Sequence, residues 1–283
     1  MTELRAGRLR CELAPALGGA IAGLWRDDVP VLRSTAAQQL GSARGAACHP
    51  LVPFSNRVGQ AAVVWQGTQQ PLVRHTGDAP HAILGLAWQR PWSVLDADDS
   101  SAMLAYEHRS DASWPFAFDC SHTVRLLPQA LEMTLAVTNQ SPQPAPAGLG
   151  WRVLLPRAAG TRLAWHASGR WEFDLDRLPS LSRPTAGYDG DAAALSLAQA
   201  YEGWDGEVQI GAAAANLALR SGLTRLVVCN DPDQDCIALA PVSHAPNAVH
   251  LYAAGASVGE LGLALLQPGE SLIAQCRIEV GAP

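Results

Sequence analysis

Short apolar or alternating runs, separated by Gly, Pro, Asp and Asn, make up most of this chain. In "ALEMTLAVTN" (130–139), Leu131, Met133, Leu135 and Val137 fall on one face, and Glu132, Thr134 and Ala136 on the other. That period of two is the mark of a half-buried strand, because successive side chains of a strand point to opposite faces. "LTRLVVCN", "AVHLYAA" and "ESLIAQCRIEV" read as further strands, and turn signals such as "DASWP", "NQSPQPAPAG" and "NDPDQD" recur between such runs. The alanine content of "DAAALSLAQA" (191–200) predicts a helix, and any helix here is an accessory. No Gly/Ser-rich linker, charge block or internal repeat divides the chain. The pattern predicts an all-β protein, one large antiparallel β-sandwich domain over residues 1–283 with few short helices.

Composition narrows the function. A hydrophobic fraction of 48% and a charged fraction of 16% describe a soluble globular protein. The net charge of −6 supplies no global field toward nucleic acid or an anionic membrane, so neither is an expected partner. All 20 basic residues are arginines, which excludes lysine Schiff-base chemistry and a P-loop lysine. The six cysteines contain no C-x-x-C pair and read as reduced thiols; no metal site and no cofactor is expected. "MTELRAGRLR" lacks the apolar core of a signal peptide and no apolar run reaches a membrane span, so the expected location is cytoplasmic.

Two segments stand out as candidate chemistry. "CHPLVPFSNRVG" (48–59) sets Asn56 and Arg57 at the edge of a strand. Asn both donates and accepts, and Arg offers a rigid fork of donors, a pairing suited to neighbouring sugar hydroxyls. A turn Asn beside a surface Arg is the plainer reading of the same residues. "HAILGLAWQRPW" (81–92) brings Trp88, Gln89, Arg90 and Trp92 behind a glycine, and a tryptophan face stacks on the C–H surface of a sugar. A core tryptophan pair is the plainer reading there.

Taken with "LAPALGGAIAGLW" (13–25), "WPFAF" (114–118), "GLGWRVLLP" (148–156), "YEGWDG" (201–206) and "APVSHAPNAVH" (240–250), these segments resemble, in order, the aldose 1-epimerase (galactose mutarotase) family. The resemblance implies a large antiparallel sandwich with a sugar cleft on a concave face and no metal. It also implies a glutamate base, a histidine acid, and a second histidine and an aspartate that hold the sugar. Mutarotation needs such groups: a base takes the anomeric proton while an acid protonates the ring oxygen.

At the matching positions this chain carries Ala240 for the base, Arg152 for the acid, Leu84 for the binding histidine and Ala198 for the aspartate. Asn56 and Arg57 are kept. His81 and His49 are the candidate substitutes; Glu107-His108, His122 and His244 stand further back, and for each a structural histidine is the competing reading. The substrate-binding set implied is Asn56, Arg57, Trp88, Trp151, Arg152 and Trp204. Arg57 and Arg152 in one cleft would suit an anionic sugar as well as a neutral one. Three functions stay open: an isomerase or epimerase using different residues on a modified sugar, a non-catalytic sugar-binding regulator, or a structural protein with a vestigial cleft. The retained Asn56-Arg57 pair and the aromatic supply favour the first two.

Overall fold

The computed structural model describes residues 2–74, 80–195 and 198–282. Two large antiparallel sheets dominate, of eleven and nine strands among the described residues. The first runs Thr2–Ala6, Leu9–Ala14, Ala20–Arg26, Cys48–Leu51, Gly150–Pro156, Cys236–Val242, Arg225–Cys229, Ala198–Glu202, Gly169–Phe173 and Pro179–Pro184, with Val29–Pro30 added beside Ala20–Arg26. The second runs Ser93–Ala97, Ser101–His108, Phe118–Leu127, Ala130–Asn139, Ser271–Val280, Asn216–Ser221, Glu207–Gly211, Arg162–Trp165 and Tyr188–Asp191.

The alternation in residues 130–139 is realised in the Ala130–Asn139 strand. Leu131, Met133, Leu135 and Val137 are buried, while Glu132, Thr134 and Ala136 are half-buried on the far side. The two sheets close on each other through such faces. The Trp151 indole N–H of the first sheet donates to His122 Nε2 of the second at 3.2 Å, and Cys48 Sγ lies 3.9 Å from Met133 Sδ. One buried apolar cluster draws from both sheets, from Leu4 to Val280, and its removal from water is the main stabilising term.

Two expectations about local structure are corrected. Residues 191–200 do not form a helix: Ala192–Ala194 is a single 3₁₀ turn, capped by the Asp191 carboxylate accepting from Ala193 N–H, and Ala198–Glu202 is a strand. Pairing with Arg225–Cys229 outweighs alanine's helix preference there. Conversely "AVHLYAA" supplies the Ala248–Ala253 helix rather than a strand. Short apolar runs fit either period, and here Ala248 and Val249 bury one side of a helical turn. A second short helix, Val258–Leu261, starts with a capping box between Ser257 and Glu260.

Alternation in the central strands divides the chemistry between two faces. In Gly150–Pro156, Trp151, Val153 and Leu155 turn into the core between the sheets, so Arg152 and Leu154 turn away from it. In Cys236–Val242, Ile237 and Leu239 join that core, while Ala238, Ala240 and Val242 belong to separate clusters on the open face.

Candidate functional site

The open face of the first sheet gathers the positions that the resemblance singles out. His49 pairs with Arg152. Gly150 pairs with Val242 and Val153 with Leu239, a register that brings Arg152 alongside Ala240. The row continues from Ala240 to Val227, Ala200 and Trp171. Leu84, carried on a loop above the sheet, packs on Leu51, Ala240 and Val242. Ala198 pairs with Cys229, and Cys229 with Ala238, one step along the same face; Leu197 lies outside the described residues. Ala240, Arg152, Leu84 and Ala198, which the resemblance matches to base, acid and binding positions, therefore lie on one face.

The loops that frame this face are tied by hydrogen bonds between segments far apart in the chain. Asn56 adopts a left-handed conformation (φ 53°), and its carbonyl accepts Leu84 N–H at 2.7 Å. Arg57 pairs with Ile83 in a short ladder, and its carbonyl accepts Asn247 N–H at 3.0 Å. The Asn247 side chain accepts Gly59 N–H at 2.9 Å. Ser55 N–H donates to His244 Nε2 at 3.1 Å, and His244 Nδ1 lies 2.7 Å from the Ala245 carbonyl. Both nitrogens of His244 are thus used within the protein. Burial holds its pKa down at about 4, so the ring stays neutral and structural.

Gly148 lies against this ring, and a Cβ there would come 1.9 Å from His244 Cδ2. Because His244 is pinned at both ends, Gly148→Ala is expected to destabilise the fold by about 1–3 kcal/mol, as overpacked cores do. Urea denaturation checks this, and an unchanged midpoint would show that the histidine can swing aside.

The remaining histidines separate by their partners. His81 is buried, with Nδ1 accepting Gln60 N–H at 3.1 Å and Nε2 2.8 Å from the Asp176 carbonyl. It braces loops and has no nitrogen left for a substrate proton. His49 is fully buried beside Arg152. Its Nδ1 lies 3.3 Å from the Pro50 carbonyl, which can only accept, so Nδ1 carries the proton and Nε2 the lone pair. Nε2 has no hydrogen-bond partner among the described residues. Burial, and next the Arg152 charge, push the His49 pKa down to about 3. A neutral ring of that kind accepts a hydrogen bond and is a poor proton shuttle near neutrality.

The aromatic residues divide as well. Trp151 and Trp204 belong to the core, and do not reach the open face: the Trp151 indole donates to His122, and the Trp204 indole N–H donates to the Glu207 carbonyl at 2.8 Å. Trp88 is buried in a cluster of small residues that covers one end of the face. Its ring lies 5.7 Å from that of His49, and the Arg44 guanidinium sits 5.4 Å over it. Sequence reasoning missed Arg44, on an unremarkable Ser-Ala-Arg-Gly turn, and Trp171, half-buried at the far end of the row through Ala240. The register alone reveals Trp171, because Trp171 pairs with Ala200 and Ala200 with Val227. The Asn56 Oδ1 and Ser55 Oγ atoms are buried and lack hydrogen-bond partners among the described residues. Buried polar atoms are normally satisfied, so these two are exceptions at the edge of the face.

A two-sheet sandwich with such a face, framed by a Ser-Asn-Arg turn and a Trp-Gln-Arg-Pro-Trp loop, defines a galactose mutarotase-like protein. The chain belongs to the aldose 1-epimerase family, whose profile it matches over residues 2–238. It is 30% identical to the uncharacterized protein YphB of Escherichia coli K12 over 305 aligned positions, covering 98% of this chain and 97% of that one. It superposes on the crystal structure of a candidate aldose 1-epimerase from the same organism with a TM-score of 0.87 at 28% identity, covering 99% and 98% of the two chains. A galactose mutarotase-like protein of Clostridium acetobutylicum shares the fold at 16% identity, with a TM-score of 0.85 and coverage of 99% and 95%. The family match stops two residues before Ala240, so that position rests on the Pro241 motif and on its place beside Arg152.

Proposed function

We propose that this chain binds a cyclic sugar on the open face of its first sheet and does not perform Glu/His mutarotation. The observation that carries the reading is the meeting of Ala240, Arg152 and Leu84 on one patch. No group among those three exchanges a proton near neutral pH: alanine and leucine cannot, and a guanidinium stays charged. Asn56 and Arg57 remain at the edge of the patch, and Trp88 walls one end. A sugar-binding role within carbohydrate metabolism needs those groups and no acid–base pair. All six thiols are free, which suits a reducing cytoplasm.

Polarimetry of freshly dissolved α-galactose or α-glucose tests the reading. The protein is expected to leave the rate at that of buffer alone. Rapid equilibration that disappears in Arg57→Ala would overturn it and identify the chain as an active isomerase using other residues. Binding is checked separately by calorimetry, where Asn56→Ala is expected to weaken a hexose about tenfold for a lost buried hydrogen bond.

A further inference from the structure

At the place where the family pattern sets a carboxylate opposite an imidazole, this chain sets a methyl group opposite a guanidinium. The substitution removes one negative charge and adds one positive charge at the same point. Arg152 sits partly buried, with no hydrogen bond or ion pair to any described residue. Its surroundings on the open face are Leu154, Ala238 and the thiols of Cys229 and Cys236, which cannot neutralise it. Two further arginines act on it, Arg44 and Arg33. Asp235 engages Arg33 at 2.9 and 3.1 Å, which leaves Arg44 and Arg152 without a carboxylate among the described residues. In a chain of net charge −6, this is a local excess of positive charge on the face proposed to bind sugar. Desolvating a guanidinium without a counter-charge costs several kcal/mol, so a fold that keeps one there gains from a bound anion.

We propose that Arg152 and Arg44, backed by His49 and the Trp88 ring, form a subsite for the anionic group of a cyclic sugar, a carboxylate or a phosphoryl group. A guanidinium grips either group with two parallel N–H···O bonds. His49, fully buried beside Arg152, backs the subsite from within the sheet. Trp88 holds Arg44 over its own face and closes the wall behind His49. The sugar half of the proposal rests on the binding reading above; the anion half rests on the arginines alone.

Calorimetry on the full chain with four probes tests both halves: glucose, glucuronate, glucose 6-phosphate and inorganic phosphate. Glucuronate or glucose 6-phosphate is expected to bind at least about tenfold tighter than glucose, as one charge-assisted bidentate contact provides. Whichever of the two binds tighter identifies the carboxylate or the phosphoryl group as the natural handle. Arg152→Gln and Arg44→Gln are each expected to bring the anions down to the level of glucose. Arg44 is exposed, so its variant keeps the test sound should Arg152→Gln fail to fold. Arg220→Gln, in an ion-pair ladder of the second sheet, is expected to leave the preference intact. Equal affinity for glucose and both sugar anions would overturn the anion subsite and leave the sugar reading standing. Inorganic phosphate binding that is lost in Arg44→Gln, with no sugar bound, would keep the subsite and overturn the sugar reading. Absence of binding by all four probes would overturn both.

Discussion

The double variant Ala240→Glu/Arg152→His is expected to accelerate galactose mutarotation at least about 10²-fold over the parent chain, since a positioned acid or base contributes 10²- to 10⁴-fold. Strand register is the reason two substitutions suffice: Arg152 runs alongside Ala240, so a base and an acid installed there face one another across a single strand gap. On the proposed reading, Asn56 and Arg57 are already present to position the sugar. Either change alone is expected to gain little. With Ala240→Glu alone, the new carboxylate would pair with the Arg152 guanidinium, which lowers its basicity and supplies no proton. The same single variant is expected to abolish binding of sugar anions, because the new carboxylate occupies their place. Burying a carboxylate among Leu51, Val242, Leu84 and Val227 will cost stability, so circular dichroism must show the variants folded before rates are compared. A folded double variant that binds galactose and remains as slow as the parent would show that the sugar does not sit over the Arg152–Ala240 pair.

Acidification is expected to destabilise the protein steeply between pH 6.5 and about 4. His49, His122 and His244 are all fully or nearly fully buried, and burial is the leading cause that holds their pKa values at about 3, 4 and 4. Two of them also accept hydrogen bonds that an imidazolium cannot accept, from the Trp151 indole and from Ser55 N–H. Their folded pKa values lie below the unfolded value near 6.5. The unfolded chain therefore takes up protons first as pH falls, and the stability these groups contribute is complete above pH 6.5 and lost on descent to their folded values. Each pH unit in that window costs roughly 1.4 kcal/mol per histidine, so three acting together cost on the order of 4 kcal/mol per unit. Urea denaturation at half-unit steps measures this directly. A His122→Asn variant is expected to show a shallower slope by one proton, and a flat free energy between pH 6.5 and about 4.5 would show that the rings are not held neutral by the fold.

Much of the architecture was legible in the chain itself. The strict alternation of Leu131, Met133, Leu135 and Val137 predicts the Ala130–Asn139 strand and the side it buries, because a strand facing one core has no other way to order its side chains. The motif order identified the family, and reading Ala240, Arg152, Leu84 and Ala198 as its substituted positions rests on the motifs themselves. Local propensity failed where tertiary pairing overrode it, as at Ala198–Glu202, or where a run was too short to carry a period, as at Ala248–Ala253.

The division between core and site was decided only by the tertiary structure. Alternation dictates that Trp151 and Arg152 face opposite ways, but it does not say which of them faces the second sheet. That choice is made by contacts such as the one between Trp151 and His122, which lie 29 residues apart. His49 and His81 are likewise equal in sequence. They differ because His81 is satisfied by Gln60 and by Asp176, 21 and 95 residues away, while His49 is left with a bare Nε2 beside an unpaired guanidinium. Composition and period act over a few residues and set the elements and the fold class. The protonation state, partners and direction of a side chain depend on which distant segment packs against it, and that is written only in the folded arrangement.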